Sequence, residues 1–387
     1  MTSSTHALQS ARPFSRTIRR AAALAVAAGI VTMATAACAP PPAPKEVVQP
    51  AQSVETSNGP VVNGEQIADQ ELWEAAVAEG SINLYTGYTE NTEAALLKQF
   101  TADTGIKVNV VRLTPNRLYE RISAEYGAGK LKADVVRTSD SGFASSLSEK
   151  GVFQPYTPET AQNLHDDVVF DGGNYYRTFD PIYTFGYNNA IMTADEAPTS
   201  WTVMTDPAMK GKIGIAQVGA GGSALALTRF QRSVLGDEFL TAYAENRPRI
   251  FDSLGAELDS LARGEVQVGT TVVSAVNLAQ ARNAPVQFVI PQEGFAVYDY
   301  YTGIASTATH LNAAKVFMNW NLSLRGQNVF RELGEYSVRT DVDPPLILGE
   351  QFPEFESDQV HRILPPDAKG YAKEDQAMWN SLFGYNE

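Results

Sequence analysis

The sequence predicts an α/β protein in two lobes, each a doubly wound sheet flanked by helices. Three observations carry this expectation. The 387 residues are 44% hydrophobic, more chain than one core fills, since single cores rarely grow past about 250–300 residues. Strand-like and helix-like segments alternate from residue 81 onward, the order that builds mostly parallel sheets. Between two apolar runs, 182–187 and 213–216, lies a connector carrying Ala197-Pro198-Thr199-Ser200-Trp201 and Asp206-Pro207 through Lys210-Gly211-Lys212. Such punctuation suits a chain leaving one lobe and starting another.

Taken in order, a helix is expected over 64–79, a strand over 81–87, a helix over 91–104 with Ala94, Ala95, Leu97 and Phe100 at helical spacing, and a valine-rich strand over 106–113. A helix over 117–127, a strand over 133–138 and a helix over 142–150 complete the first alternation. The second lobe reads as a strand over 214–218, helices over 224–235, 238–246 and 253–263, a strand over 266–273, a helix over 275–282 and a strand over 286–290. Helices over 312–323 and 327–333 dominate the last third. The expected domains are lobe 1 at 63–182 plus 304–387 and lobe 2 at 183–303.

The N-terminus has a function of its own. Residues 1–37 carry Arg12, Arg16, Arg19 and Arg20, no acid, and an uncharged Ala-rich run from Ala21, the pattern of a signal peptide. Arg19-Arg20 leave a twin-arginine route open, but the flanks favour Sec. Cys38 is the one cysteine, so it has no intrachain disulfide partner. Behind Thr35-Ala36-Ala37 it resembles the bacterial lipobox, which implies lipidation of Cys38 as the first mature residue and an anchor at the outer face of the cytoplasmic membrane. A Pro-rich tether is expected over 38–62. Loss of four arginines takes the net charge from −14 to −18. Nucleic acid is thereby excluded as a partner, because phosphate binding needs a basic face.

In doubly wound sheets ligands sit beyond the carboxyl ends of the strands, which directs attention to two loops of lobe 1. The first holds Thr86, Gly87, Tyr88 and Thr89; the second holds Ser139 and Asp140. In lobe 2, Gly219-Ala220-Gly221-Gly222-Ser223 runs from a strand into a helix. It resembles a dinucleotide loop but lacks the second strand, since 228–246 reads as helical. What remains is a helix N-terminus at Gly222 and Ser223 that can offer N–H groups to an anion. Among the tyrosines, Tyr187 and Tyr300 are the further candidates, each an apolar plate with a polar tip. Tyr300 and Tyr301, adjacent in a strand, face opposite ways. His165, His310 and His361 show no metal-ligand spacing, and 221–225 fails the nucleophile-elbow pattern. No cofactor, no metal site and no catalytic residue is expected.

Several stretches together resemble the extracellular solute-binding proteins of ABC importers, in the ferric-iron, phosphonate and thiamine branch. They are Ile82-Asn83-Leu84-Tyr85, Thr104-Gly105-Ile106-Lys107-Val108, Ala133-Asp134-Val135-Val136, the connector above, Arg263-Gly264-Glu265-Val266, Ala284-Pro285-Val286 and Ala313-Ala314-Lys315 through Arg325-Gly326-Gln327. The resemblance implies a type II periplasmic-binding-protein fold, with mixed sheets joined by two crossover hinge strands that close on ligand. In ferric members iron is held by a histidine, an acid and a tandem tyrosine pair; the matching positions here hold Thr89, Ser139 and Ser274-Ala275. Ser274 thereby joins the candidate ligand residues, and direct coordination of bare ferric ion is not expected.

The resulting expectation is a monomeric, lipid-anchored, non-enzymatic receptor. It would deliver a small polar or anionic solute, either an organic anion or zwitterion or chelated ferric iron, to an ABC permease. Two alternatives stay open: an exported hydrolase or transferase using Glu90, Asp140 or Asp299, and a receptor serving a sensor kinase.

Overall fold

The computed structural model describes residues 45–362 and 365–385. The expected signal peptide, Cys38 and the first part of the tether lie outside the described residues. A short antiparallel meander opens the chain: β1 (Ser53–Thr56), β2 (Gly59–Val62) and β3 (Glu65–Gln66). The stretch to residue 62 is polar and reads as tether from composition, yet from Ser53 it is folded, because Val62 and Ile67 find apolar cover. Gly59, at φ 115°, makes the close approach: a Cβ there would sit 2.1 Å from the Ala68 carbonyl oxygen.

Lobe 1 then alternates as α1 (Gln70–Glu79), β4 (Ser81–Thr86), α2 (Glu90–Thr104), β5 (Lys107–Arg112), α3 (Pro115–Gly127), β6 (Val135–Thr138) and α4 (Ser141–Glu149). Helix α1 starts at a cap, with the Asp69 carboxylate accepting from the Leu72 N–H at 2.7 Å, so it begins six residues later than its periodicity suggests. After β7 (Val169–Phe170) comes β8 (Tyr175–Asn188), fourteen residues buried throughout. At about 3.3 Å per residue it is long enough to belong to two sheets.

Lobe 2 comprises β9 (Ile213–Ala216), α5 (Gly222–Phe230), α6 (Asp237–Glu245), β10 (Arg249–Phe251), α7 (Leu254–Ala262), β11 (Val268–Val272), α8 (Val273–Ala281) and β12 (Val286–Phe288). The chain returns through β13 (Phe295–Val297) and β14 (Tyr300–Ile304) to α9 (Leu311–Leu322), α10 (Leu324–Leu333) and β15 (Glu335–Tyr336). It finishes with the β16 (Leu346–Ile347) and β17 (Glu350–Gln351) hairpin, β18 (Val360–Arg362) and α11 (Pro365–Phe383).

The strand order is β10-β9-β11-β8-β14-β6-β4-β5. Strands β4, β5 and β6 pair in parallel on one side, and β9, β10 and β11 on the other. Strand β8 joins the two sets. Its first half, Tyr176 to Phe179, lies antiparallel to β14, and its second half, Tyr183 to Tyr187, antiparallel to β11. Strand β13 pairs with β8 at Ile182 and Tyr183, and β14 carries the return into lobe 1 against β6. This is a two-lobed type II arrangement of mixed sheets with paired crossover strands. Aromatic packing fills the crossover: the Phe179 ring stacks on Tyr300 at 4.8 Å and on Phe330 at 4.2 Å.

Candidate functional site

Two helix N-termini meet where the lobes touch. In lobe 1, β6 ends at Thr138 and the chain turns through Ser139 and Asp140 into α4. In lobe 2, a short turn at Val218–Ala220 leads through Gly221 into α5. A Cβ at Gly222 would fall 2.1 Å from the Ser139 carbonyl oxygen, and one at Gly221, φ 136°, 2.6 Å from the Pro115 ring. The glycine run therefore permits close contact between lobes.

Beside this contact lies a cavity of about 130 Å³, lined by Ser139 to Gly142, Gly222, Leu225, Tyr298, Asp299 and Tyr301, with Tyr371 and Ala372 from α11. A water needs roughly 10–15 Å³ of such space, so the cavity suits a solute of about ten heavy atoms.

The two N-termini differ in their chemistry. Helix α4 is capped, the Asp140 carboxylate accepting from the Phe143 N–H at 2.9 Å. Burial nevertheless holds that carboxyl above the ordinary aspartate range, outweighing the bonds from the Phe143 and Gly142 N–H groups. Helix α5 has no side-chain cap, and its N-cap Gly221 has no side chain to supply one. Its first-turn N–H groups and dipole face the cleft.

Asp299 at the cleft wall is not a free anion. Arg362 clasps it with both branches, at 2.5 and 2.7 Å, and the Tyr301 hydroxyl donates at 2.7 Å. Arg362 also meets Asp167, which pairs with Arg177 at 2.7 Å, and Arg177 in turn binds Asp180 at 2.5 Å. Three carboxylates thus share two guanidinium groups. Burial pushes the Asp180 carboxyl up, more strongly than Arg177 pulls it down.

The sequence candidates fall into three places. Ser139, Asp140 and Gly222 line the cavity, with Ser223 next to Gly222 and nearly buried. Thr86, Gly87, Tyr88, Tyr300 and Ser274 form a buried group behind it at the crossover. There the Tyr88 hydroxyl donates to Glu335, whose carboxyl burial pushes up to about 7, and the Tyr300 hydroxyl donates to the Gly87 carbonyl at 3.1 Å. Thr86 donates to Glu93 at 2.6 Å, and Ser274 is fully buried in the first turn of α8. Thr89 stands apart as N-cap of α2, bonded to Thr92 at 2.9 Å, and Tyr187 lies at the lobe-2 end of β8 opposite Val268. Tyr300 and Tyr301 do part company, Tyr301 facing the cavity and Tyr300 the crossover.

Sequence reasoning did not single out Tyr371, Leu225 or the Arg362 clasp. A weak signal for the clasp existed in Arg362 standing among carboxylates; none existed for Tyr371, because α11 shows little amphipathic pattern.

Comparison with known proteins bears on the same geometry. Residues 130–361 match the family model described as bacterial extracellular solute-binding protein. The chain is 26% identical over 271 residues to a spermidine/putrescine-binding periplasmic protein of Haemophilus influenzae, covering 66% of this chain and 74% of that one. It is 31% identical over 149 residues to iron uptake protein A1 of Synechocystis, covering 38% and 41%. Among solved structures, the periplasmic binding protein AfuA of Actinobacillus pleuropneumoniae with fructose-6-phosphate superposes with a TM-score of 0.63 at 21% identity, over 79% of this chain and 99% of that one. At that identity the likeness speaks to the fold alone. Two lobes sharing β8, a cleft between them at strand ends, and a family match over more than half the residues lead to one conclusion: the chain belongs to the bacterial extracellular solute-binding proteins, of type II fold, that serve ABC import.

Proposed function

We propose that this protein is a lipid-anchored receptor at the outer face of the cytoplasmic membrane, which captures a small anionic or zwitterionic solute between its lobes and presents it unreacted to an ABC permease. It acts as a monomer tethered through Cys38. The single observation that supports the ligand class is the uncapped N-terminus of α5, placed against the cavity beside Ser139 and Ser223. Unpaired N–H groups at a positive dipole end favour a carboxylate or phosphate oxygen. A zwitterion adds an ammonium group, for which the Asp140 carboxylate and the Tyr298 ring are suited partners. The buried group at Thr86, Gly87, Tyr88, Ser274 and Tyr300 then sets the hinge on which the lobes close, with Thr89 and Tyr187 further out.

A second reading, ferric iron carried within an anionic chelate, draws on the likeness to an iron uptake protein. The chelate's carboxylates would meet the same α5 N-terminus, so iron is cargo here and not a resident metal.

The test is a thermal-shift and calorimetric screen of dicarboxylates, phosphate esters, amino acids, polyamines and ferric citrate against wild type and Ser223→Asp. A carboxylate in the first turn of α5 competes with the solute's anionic group. An anionic or zwitterionic binder weakened about tenfold or more by Ser223→Asp supports the reading. A polyamine that binds tightly and is indifferent to that substitution overturns it, and turnover of any candidate would return the hydrolase alternative.

A further inference from the structure

After α10 the chain has already returned to lobe 1, yet its last segment crosses the lobes again. Strand β18 adds to β13 in parallel, a third strand at the crossover, and Arg362 at its end binds Asp299 and Asp167. Helix α11 follows, beyond the stretch that the family model matches. It packs on α4 in lobe 1 and on α5 and α6 in lobe 2, and it brings Tyr371 and Ala372 to the cavity.

The attachment to lobe 2 is specific. Asp375 is fully buried, and one of its carboxylate oxygens accepts from both Arg229, at 2.8 Å, and Arg232, at 2.5 Å. Glu374 adds a bond from Arg232 at 3.0 Å. The Arg229 guanidinium lies over the Tyr371 ring, 3.7 Å from its centroid, so the latch and the cavity wall are one contact. Further along, Trp379 is buried and the Phe383 ring meets Tyr243 edge-on at 5.4 Å. Removing one member of a buried, shared charge set is strongly destabilising, so α11 is held to lobe 2 firmly while its other face lies on lobe 1.

We propose that α11 is a strap across the two lobes and the third wall of the solute cleft, with Tyr371 setting which solutes fit. Undocking of α11 frees α4 from α5 and opens the cleft; docking closes it behind the solute. The inference rests on the interlobe cleft and not on the ligand class.

Hydrogen-exchange mass spectrometry on the full-length mature protein, with no solute added, tests it. In Asp375→Asn the hydrogen-bonded amides of 225–230 in α5 and 143–147 in α4, on opposite lobes, are expected to exchange about tenfold faster together with those of α11, while β4 and α2 keep wild-type protection. Should Asp375→Asn fail to fold, Tyr371→Ala, which leaves Asp375 and its arginines in place, is expected to raise exchange at the same two segments by a smaller factor. Faster exchange confined to α11, or to lobe 2 alone, overturns the strap. Wild-type protection of both cleft segments in Tyr371→Ala overturns the wall. Because no solute is present, either failure is separate from failure of the ligand reading.

Discussion

The N-termini of α4 and α5 face one another across the lobes, and they are built differently. Helix α4 satisfies itself: Asp140 accepts from Phe143, and a Cβ at Gly142 would meet only the Asp140 carboxylate oxygen at 3.2 Å. Helix α5 leaves its donors uncapped and approaches so closely that Gly222 has no room for a side chain. A self-capped helix end is a structural element. An uncapped one at a cavity is an offer to something outside the chain. On the proposed reading, the contrast puts the solute's anionic end on the lobe-2 side.

The largest expected effect tests the close approach. Gly222→Val puts carbon against the Ser139 carbonyl, which is backbone and cannot swing aside. Overpacking costs about 1–3 kcal/mol or more, which is borne by the closed state alone and so appears as a tenfold to hundredfold loss of solute affinity in calorimetry. Gly142→Ala, its counterpart on α4, should alter affinity less than about threefold, since only a side-chain oxygen has to move. Equal losses at both positions would erase the distinction between the two ends.

Next in size is the cap itself. Asp140→Ala removes the acceptor for the Phe143 N–H and should lower stability in urea by about 1 kcal/mol, whereas Asp140→Asn keeps a good capping residue and most of that stability. No such pair of outcomes is expected at Ser223, where Ser223→Ala should leave urea stability within about 0.5 kcal/mol of wild type while weakening solute binding.

The strand and helix order of both lobes was legible because it rests on local periodicity: Ile82 and Leu84 alternate in β4, and of the α2 residues read at helical spacing Leu97 and Phe100 are buried and Ala95 half-buried, while Ala94 is exposed and Leu96 takes its place on the inner face. The length of β8 was not, because its first half carries Arg177, Thr178, Asp180 and Pro181, residues that argue against a buried strand until Asp167, Arg362 and Glu335 are brought to it by tertiary folding. The β1 to β3 meander was hidden for the opposite reason, since too few apolar residues signal it and packing on the rest of lobe 1 supplies its stability. In the cleft, Ser139, Asp140, Gly222 and Ser223 could be found from the rule that ligands meet strand ends. Tyr371 could not, because it reaches the cavity from 67 residues beyond the end of the return strand β14, and no local pattern carries that information. The place of Tyr187, at the lobe-2 end of β8 opposite Val268, is set by strand position, which composition does not give.

The smallest expected effect separates the two helix ends by pH. Asp140 titrates above the ordinary aspartate range because it is buried, so between about pH 3.9, the unfolded value, and its raised folded value the native state holds a proton that the unfolded chain has lost. A group of this kind makes stability fall as pH rises through that window. Asp140→Asn cannot titrate, so its stability should fall less steeply than that of wild type there, and the two curves should run parallel below pH 3.9. Glu257 and Glu335, which burial pushes to about 8 and about 7, slope in the same sense over a wider range and are common to both proteins, so the difference between curves isolates Asp140. Ser223→Ala, at the end of the other helix, should reproduce the wild-type pH profile throughout. If instead Asp140→Asn falls more steeply than wild type, the carboxylate is stabilised in the folded protein by the α4 dipole and its N–H groups, and that end of the cleft is as open to a cation as α5 is to an anion.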